Sequence, residues 1–271
     1  MITDDLAVRE AFHVLLLLEL SHRLGEGAFV LKGGVNLRLY FASVRYSEDM
    51  DIDGDPSKRQ RLTRVIPEVL RSDDLVRRLR ELGIRRIEYG GRPHKDGDLT
   101  LRYKLQILTR GEVALSTKIE VSFRDRSHED EWAMEAADER VVRPYLWPSD
   151  ANLCAPHYRR TAAVRQKIAA LGLRRTEQAR DVFDLYVLTH GQMEDVDLQQ
   201  VRRGVTDKVL NEARQRAFAI GYRQFADQVL AFLDDADRDD YESESAWDEI
   251  RLLVVELIEA AKNELRDGET S

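Results

Sequence analysis

The sequence predicts an α+β protein, with a front half of about 145 residues that mixes strands and helices and an all-helical back half. Three observations predict it. Two runs, Thr100 to Leu108 and Val113 to Phe123, alternate in the strand sense and are separated by Thr109-Arg110-Gly111-Glu112, a hairpin signal. A short apolar run, Ala28 to Leu31, meets Gly33-Gly34 and passes into a helical pattern, so strand, glycine turn and helix follow one another. From about Tyr158 the pattern is helical nearly to the end. The length of 271 residues suits one large domain or two ordinary ones, at roughly 100–200 residues each. The expected division is 1–145 and 146–271.

Along the chain, residues 3–24 read as an amphipathic helix. Thr3 can cap it, Asp4 and Asp5 suit the positive end of its dipole, and Leu6, Val14, Leu17 and Leu18 form an apolar stripe. Gly25 and Gly27 stop it, and the helix after the glycine pair runs to about Ala42. Met50 to Asp53 alternates apolar residues and carboxylates, as a strand does. Residues 57–82 read as polar helix broken near Pro67, because proline lacks the amide hydrogen. After the hairpin, a weaker strand is expected at 140–142, and Pro144, Pro148 and Pro156 punctuate a loop-rich connector. Helices follow, among them 159–171, 179–189 and 250–265.

Composition narrows the function classes. With 43% hydrophobic and 34% charged residues of mixed sign, the chain is not globally disordered. A single cysteine, Cys154, excludes a disulfide framework and any thiol metal site. The apolar stretch Val14 to Leu18 is far short of the roughly 20 residues a membrane span needs and lacks the flanks of an export signal. No membrane association is expected, and a reducing cytoplasm is the expected location. The net charge of −8 speaks at first against nucleic acid. Yet residues 227–271 hold 15 acids against 4 bases, leaving 35 acids and 38 bases in the rest. Residues 158–180 carry seven bases, Lys167 among them, against one acid, Glu177. A polyanionic substrate is therefore compatible with the body of the chain.

The informative stretch is Leu31-Lys32-Gly33-Gly34-Val35-Asn36-Leu37-Arg38, then Arg45-Tyr46-Ser47-Glu48-Asp49-Met50-Asp51-Ile52-Asp53. Two glycines at a strand-to-helix junction leave backbone N–H groups uncovered beside a positive helix end, which is an anion cradle suited to phosphate. Asp49 and Asp51 are two apart, so on a strand both project to one face. Paired carboxylates call for a cation, and hard oxygen ligands with substrate phosphates select Mg²⁺ (or Mn²⁺). Glu120 lies on a neighbouring expected strand and could bring a third carboxylate, or could pair with Lys118 as an exposed charge pair. Lys32 is either a phosphate contact or a surface residue, and Asp53 either a further ligand or the strand's end. A phosphate cradle with a carboxylate cluster is the equipment of metal-assisted nucleotidyl transfer.

These strings resemble the AbiEii/AbiGii (MenT-like) family of toxin nucleotidyltransferases, members of the DNA polymerase β-like superfamily. Lys167 followed by Arg180-Asp181-Val182-Phe183-Asp184-Leu185 resembles the family's second signature. The resemblance implies a nucleotidyltransferase core, a small mixed sheet with flanking helices, followed by a helical C-terminal domain that completes the active-site cleft. It implies that Gly33 and Gly34 hold the nucleoside triphosphate, that Ser47 bonds a phosphate, and that Asp49 and Asp51 bind metal. Lys167 would neutralise phosphate charge, Asp184 or Asp181 would orient Lys167 or the acceptor, and Glu120 would serve as base. It further implies transfer of a nucleoside monophosphate to an acceptor, often the 3′ end of tRNA, with arrest of translation and a cognate antitoxin. Two rivals stand beside this reading: nucleotidylation of a protein hydroxyl, and a nucleotide-binding module without transfer. Intact Asp49 and Asp51 argue against the second.

Overall fold

A computed structural model describes residues 4–124 and 129–268 and divides into two compact units, Met1–Ala42 with Tyr46–Tyr158, and Ser43–Arg45 with Arg159–Ser271. The first opens with helix α1 (Asp5–Leu24), strand β1 (Phe29–Lys32), helix α2 (Gly33–Tyr40) and strand β2 (Met50–Gly54). Helices α3 (Arg59–Leu70) and α4 (Asp73–Glu81) follow, then strands β3 (Ile84–Tyr89), β4 (Lys95–Gly97), β5 (Thr100–Thr109), β6 (Ala114–Ser122) and β7 (Trp132–Ala136). Short helix α5 (Glu139–Val142) and strand β8 (Cys154–Tyr158) complete it. One eight-stranded sheet runs β3-β5-β6-β2-β1-β8-β7, with β4 on β5. The pairs β2–β6 and β1–β8 are parallel and the rest antiparallel.

Helix α1 starts at Asp4, whose carboxylate accepts the Ala7 N–H at 2.9 Å; Thr3, the expected cap, lies outside the described residues. Every residue from Glu10 to Leu20 is buried. The expected one-sided stripe is thus an undercount, since this helix is covered on all sides and most of its circumference is apolar. Its buried Glu10 is satisfied by Arg38 Nε at 2.6 Å and the Tyr145 hydroxyl at 2.8 Å. Met50 and Ile52 of β2, Tyr103 and Ile107 of β5, and Ile119 and Val121 of β6 join α1 in one core.

Three local expectations change. Pro67 sits inside α3, and the break comes at Arg71–Ser72, where Ser72 caps α4. The proline's missing N–H frees the Thr63 carbonyl, which takes the Tyr103 hydroxyl at 3.4 Å instead, so the helix continues. The weak strand expected at 140–142 is the helix α5, started by Asp138 accepting the Arg140 N–H. The proline-marked connector holds β8, which tolerates Pro156 because its pairing with β1 is limited to Leu31 opposite His157. Strands β3, β4 and β7 went unforeseen; β3 carries Arg85-Arg86 and alternates poorly.

The second unit contains α6 (Arg160–Leu173), α7 (Ala179–Thr189), α8 (Leu198–Arg202), α9 (Asp207–Ala219), α10 (Tyr222–Gln228), α11 (Asp235–Arg238) and α12 (Glu244–Gly268). Its interior includes Phe183, Phe225 and Trp247, with the Phe225 and Trp247 rings stacked at 4.3 Å. Gly172 lets α6 approach α9, because a Cβ there would lie 2.5 Å from the Val209 carbonyl oxygen.

Candidate active site

Alternation along β2 sends Met50 and Ile52 into the core and leaves Asp51 and Asp53 on the opposite face, with Asp49 just ahead. The strand register then brings partners alongside. Asp51 stands opposite Lys32 on β1 and opposite Glu120 on β6. Lys118 reaches Asp49 with its ammonium at 2.6 Å and its backbone N–H at 3.1 Å. Arg102 reaches Glu120 at 2.5 and 2.7 Å, so of the two readings of Glu120 the pairing with Lys118 is not the one formed, and Lys118 and Glu120 each have a separate partner. Lys32 pairs with Asp53, which also accepts the Tyr158 hydroxyl at 2.8 Å.

Asp51 differs from its neighbours: among the described residues no hydrogen bond or ion pair reaches its carboxylate. Burial pushes its carboxyl above the usual range, Glu120 and Asp49 push the same way, and Lys32 and Lys118 oppose them. Gly33 faces it. Its φ of +70° is left-handed, and an added Cβ would stand 3.0 Å from Asp51 Oδ2, so this position needs glycine twice over. Helix α2 begins there with no side-chain cap and no acid in its first turn, so its leading N–H groups keep their capacity for an anion. Gly34 is the next residue of that turn.

The loop before Asp49 is fixed from beneath. The Ser47 hydroxyl donates to the Asp49 carbonyl at 2.8 Å, which shapes the turn into the strand. The Thr117 hydroxyl donates to the Glu48 carbonyl at 2.7 Å and has no second proton, so the His13 contact at 3.0 Å is a donation from Nε2. Burial lowers His13 to about 4, with Asp49 opposing and Arg9 assisting, so near pH 7 the ring is neutral and carries its proton on Nε2. This His13–Thr117–Glu48 support is absent from the sequence reading. The available signal was one histidine inside the apolar run of α1.

In the helical unit, the spacing of Asp181 and Asp184 puts both on one face of α7. Both are fully buried. Lys167 of α6 lies 2.5 Å from Asp184 and 3.2 Å from Asp181, Arg174 lies 3.1 Å from Asp181, and Arg45 holds Asp184 with contacts of 2.8, 3.0 and 3.1 Å. Burial works against the Asp184 charge, and Arg45 and Lys167 outweigh it, holding the carboxyl below the usual range. Arg45, part of the first motif, had no role assigned from sequence; here it pairs with the second.

Among the described residues, no three carboxylate, histidine or cysteine side chains gather closely enough to hold a metal unaided. Nor is any helix of the described residues long and apolar enough to cross a membrane.

Comparisons with known proteins follow this geometry. Residues 15–252 match the family model described as nucleotidyl transferase AbiEii toxin, type IV toxin–antitoxin system. No curated protein sequence matches the chain. Among solved structures, the chain is similar to MenT4, a nucleotidyltransferase toxin from Mycobacterium tuberculosis, at 19% identity and a TM-score of 0.60, over 94% of this chain and 84% of that one. It is also similar to JHP933 from Helicobacter pylori, at 18% identity and a TM-score of 0.58, over 100% of this chain and 97% of that one. At these identities the likeness concerns the fold.

Proposed function

The chain belongs to the AbiEii family of nucleotidyltransferase toxins, and on that premise we propose that it transfers a nucleoside monophosphate from a nucleoside triphosphate to the 3′ end of tRNA, arresting translation and growth in the cytoplasm until an antitoxin restrains it. The observation that carries the transfer is the Asp51 carboxylate, unpaired among the described residues, set beside Asp49 and facing the start of α2, which has no side-chain cap. Paired carboxylates whose charges lack a full complement fit a divalent cation that arrives with its own phosphate oxygens. Mg²⁺ bound in this way takes one or two carboxylates plus substrate phosphates, so a third protein ligand is not required. Asp49 and Asp51 would hold it; bound there, it supplies charge neutralisation at the reacting phosphate.

The chain's own groups do the rest. The N–H groups at Gly33 and Gly34 and the Lys32 ammonium bind the triphosphate. Ser47 keeps Asp49 aimed and lies in reach of the same loop. The acceptor oxygen forms a bond to the α-phosphorus as the bond to pyrophosphate breaks. Glu120, next to Asp51 in register, takes the acceptor's proton, and pyrophosphate carries away the electron pair. Lys167 neutralises phosphate charge, with Asp181 and Asp184 holding its ammonium in place. Most of the rate comes from positioning and charge stabilisation.

Incubation with each α-labelled nucleoside triphosphate, Mg²⁺ and cell extract tests this. Label in the nuclease-sensitive fraction, lost in Asp49→Ala, Asp51→Ala and Lys167→Ala, is the expected result. Label confined to protein would replace the RNA acceptor by a protein hydroxyl, and full activity of Asp49→Ala would remove the metal assignment.

A further inference from the structure

The outer face of the sheet carries a second charged feature beside the carboxylates. On β5 and β6, Leu101, Tyr103 and Ile119 face the core, so Arg102, Lys104, Lys118 and Glu120 face outward. Register then places Arg102 opposite Lys95 of β4, and Lys104 opposite Lys118 of β6. These are two directly opposed pairs of like charge, side by side on one face. Such pairs destabilise a sheet, where opposite charges would contribute favourably. Arg102 is matched by Glu120, and Lys118 by Asp49. Lys95 and Lys104 are exposed, and among the described residues neither has a hydrogen bond or ion pair. One row of the sheet therefore reads Lys32, Asp51, Glu120, Arg102, Lys95, with carboxylates inside and cations at both flanks.

The two flanks have different surroundings. Lys32 sits at the start of α2, where the triphosphate cradle is. The opposite flank, reaching roughly 14 Å from β2 at three strand spacings, has no such cradle among the described residues. In-line displacement needs the attacking oxygen and the leaving pyrophosphate on opposite sides of the phosphorus. With the triphosphate on the β1 side, the acceptor enters from the β6 side, past Glu120. We infer that Arg102, Lys104 and Lys95 form a track for the phosphate backbone of a single-stranded RNA acceptor, leading its 3′ end to Glu120 and Asp51. This rests on the transfer reading above and adds to it a binding surface for the acceptor.

The test uses the full chain with Lys95→Glu and Lys104→Glu combined, each single variant beside it, and Arg64→Glu on exposed α3 as a control for a single charge reversal. Fluorescence anisotropy with a labelled 20-nucleotide single-stranded RNA, read across a salt series, measures binding without turnover. The double variant is expected to bind at least tenfold more weakly. Its slope of log affinity against log salt should fall by about 1.4, at about 0.7 per lost phosphate contact, and Arg64→Glu should match the parent. In the labelling assay, the KM for deacylated tRNA should rise while that for the nucleotide stays constant. Unchanged RNA binding overturns the track, and a raised nucleotide KM with normal RNA binding reassigns the cations to the triphosphate. Labelling of protein alone by the parent chain contradicts the acceptor reading, while the anisotropy arm still decides the track.

Discussion

Asp51 and Gly33 define the chemistry by what surrounds them. Replacing Gly33 by Ala imposes a left-handed conformation that costs an L-residue about 1–2 kcal/mol and drives a methyl group against Asp51 Oδ2. Transfer activity is expected to fall at least tenfold with the fold intact, read by kcat/KM beside a thermal melt. His13 gives a prediction in pH. The unfolded chain protonates it as pH falls through about 6.5, whereas the folded chain keeps it neutral to about 4. Proton uptake by the unfolded state lowers stability across that window, and the loss levels off below it. Wild type should therefore lose about 2–3 kcal/mol more than His13→Gln between pH 7.5 and 4.5, measured by denaturant titration. Equal losses would mean that the imidazole is protonated in the fold. Asp49, Asp51 and the glycines were legible in the sequence because their spacing alone sets their face. His13, Thr117, Lys118 and Arg45 were not, since their partners lie more than a hundred residues away or on other strands.

Elements follow the same division. The β5–β6 hairpin and the strand–glycine–helix unit were readable, because alternation and turn chemistry are local signals. Strand β8 was hidden by Pro156, and β3 by its arginines, since an edge strand needs little apolar content. The first helix takes its cap from Asp4, and Pro67 breaks nothing because its compensation comes from Tyr103 on β5, remote in sequence. Packing in the helical unit is sensitive at one point. Gly172→Ala would set a methyl group 2.5 Å from the Val209 carbonyl, forcing α6 from α9 at a cost of about 1–3 kcal/mol, visible as a lower Tm. Asp184→Asn is expected to cost more. It leaves buried Arg45 beside a neutral amide and takes from Lys167 the nearer of its two carboxylates, and breaking such a network costs about 3–5 kcal/mol. A variant as stable as the parent would show that the network contributes nothing to the fold.

For the whole molecule, the net charge of −8 conceals a division of labour. Acids concentrate in the last 45 residues, while the sheet face and α6 keep their cations, so transfer to RNA should weaken steeply with salt although the protein is acidic. The family and its fold are those of a nucleotidyltransferase toxin, and the central claim is that Asp49 and Asp51 make it an active one. The most direct test is calorimetric titration of Mg²⁺ with a non-hydrolysable nucleoside triphosphate into wild type and Asp51→Asn, paired with labelling of deacylated tRNA. Wild type should bind metal and nucleotide together and label the RNA, and Asp51→Asn should lose both the Mg²⁺-dependent binding and the label. Undiminished binding and labelling by Asp51→Asn would contradict the account.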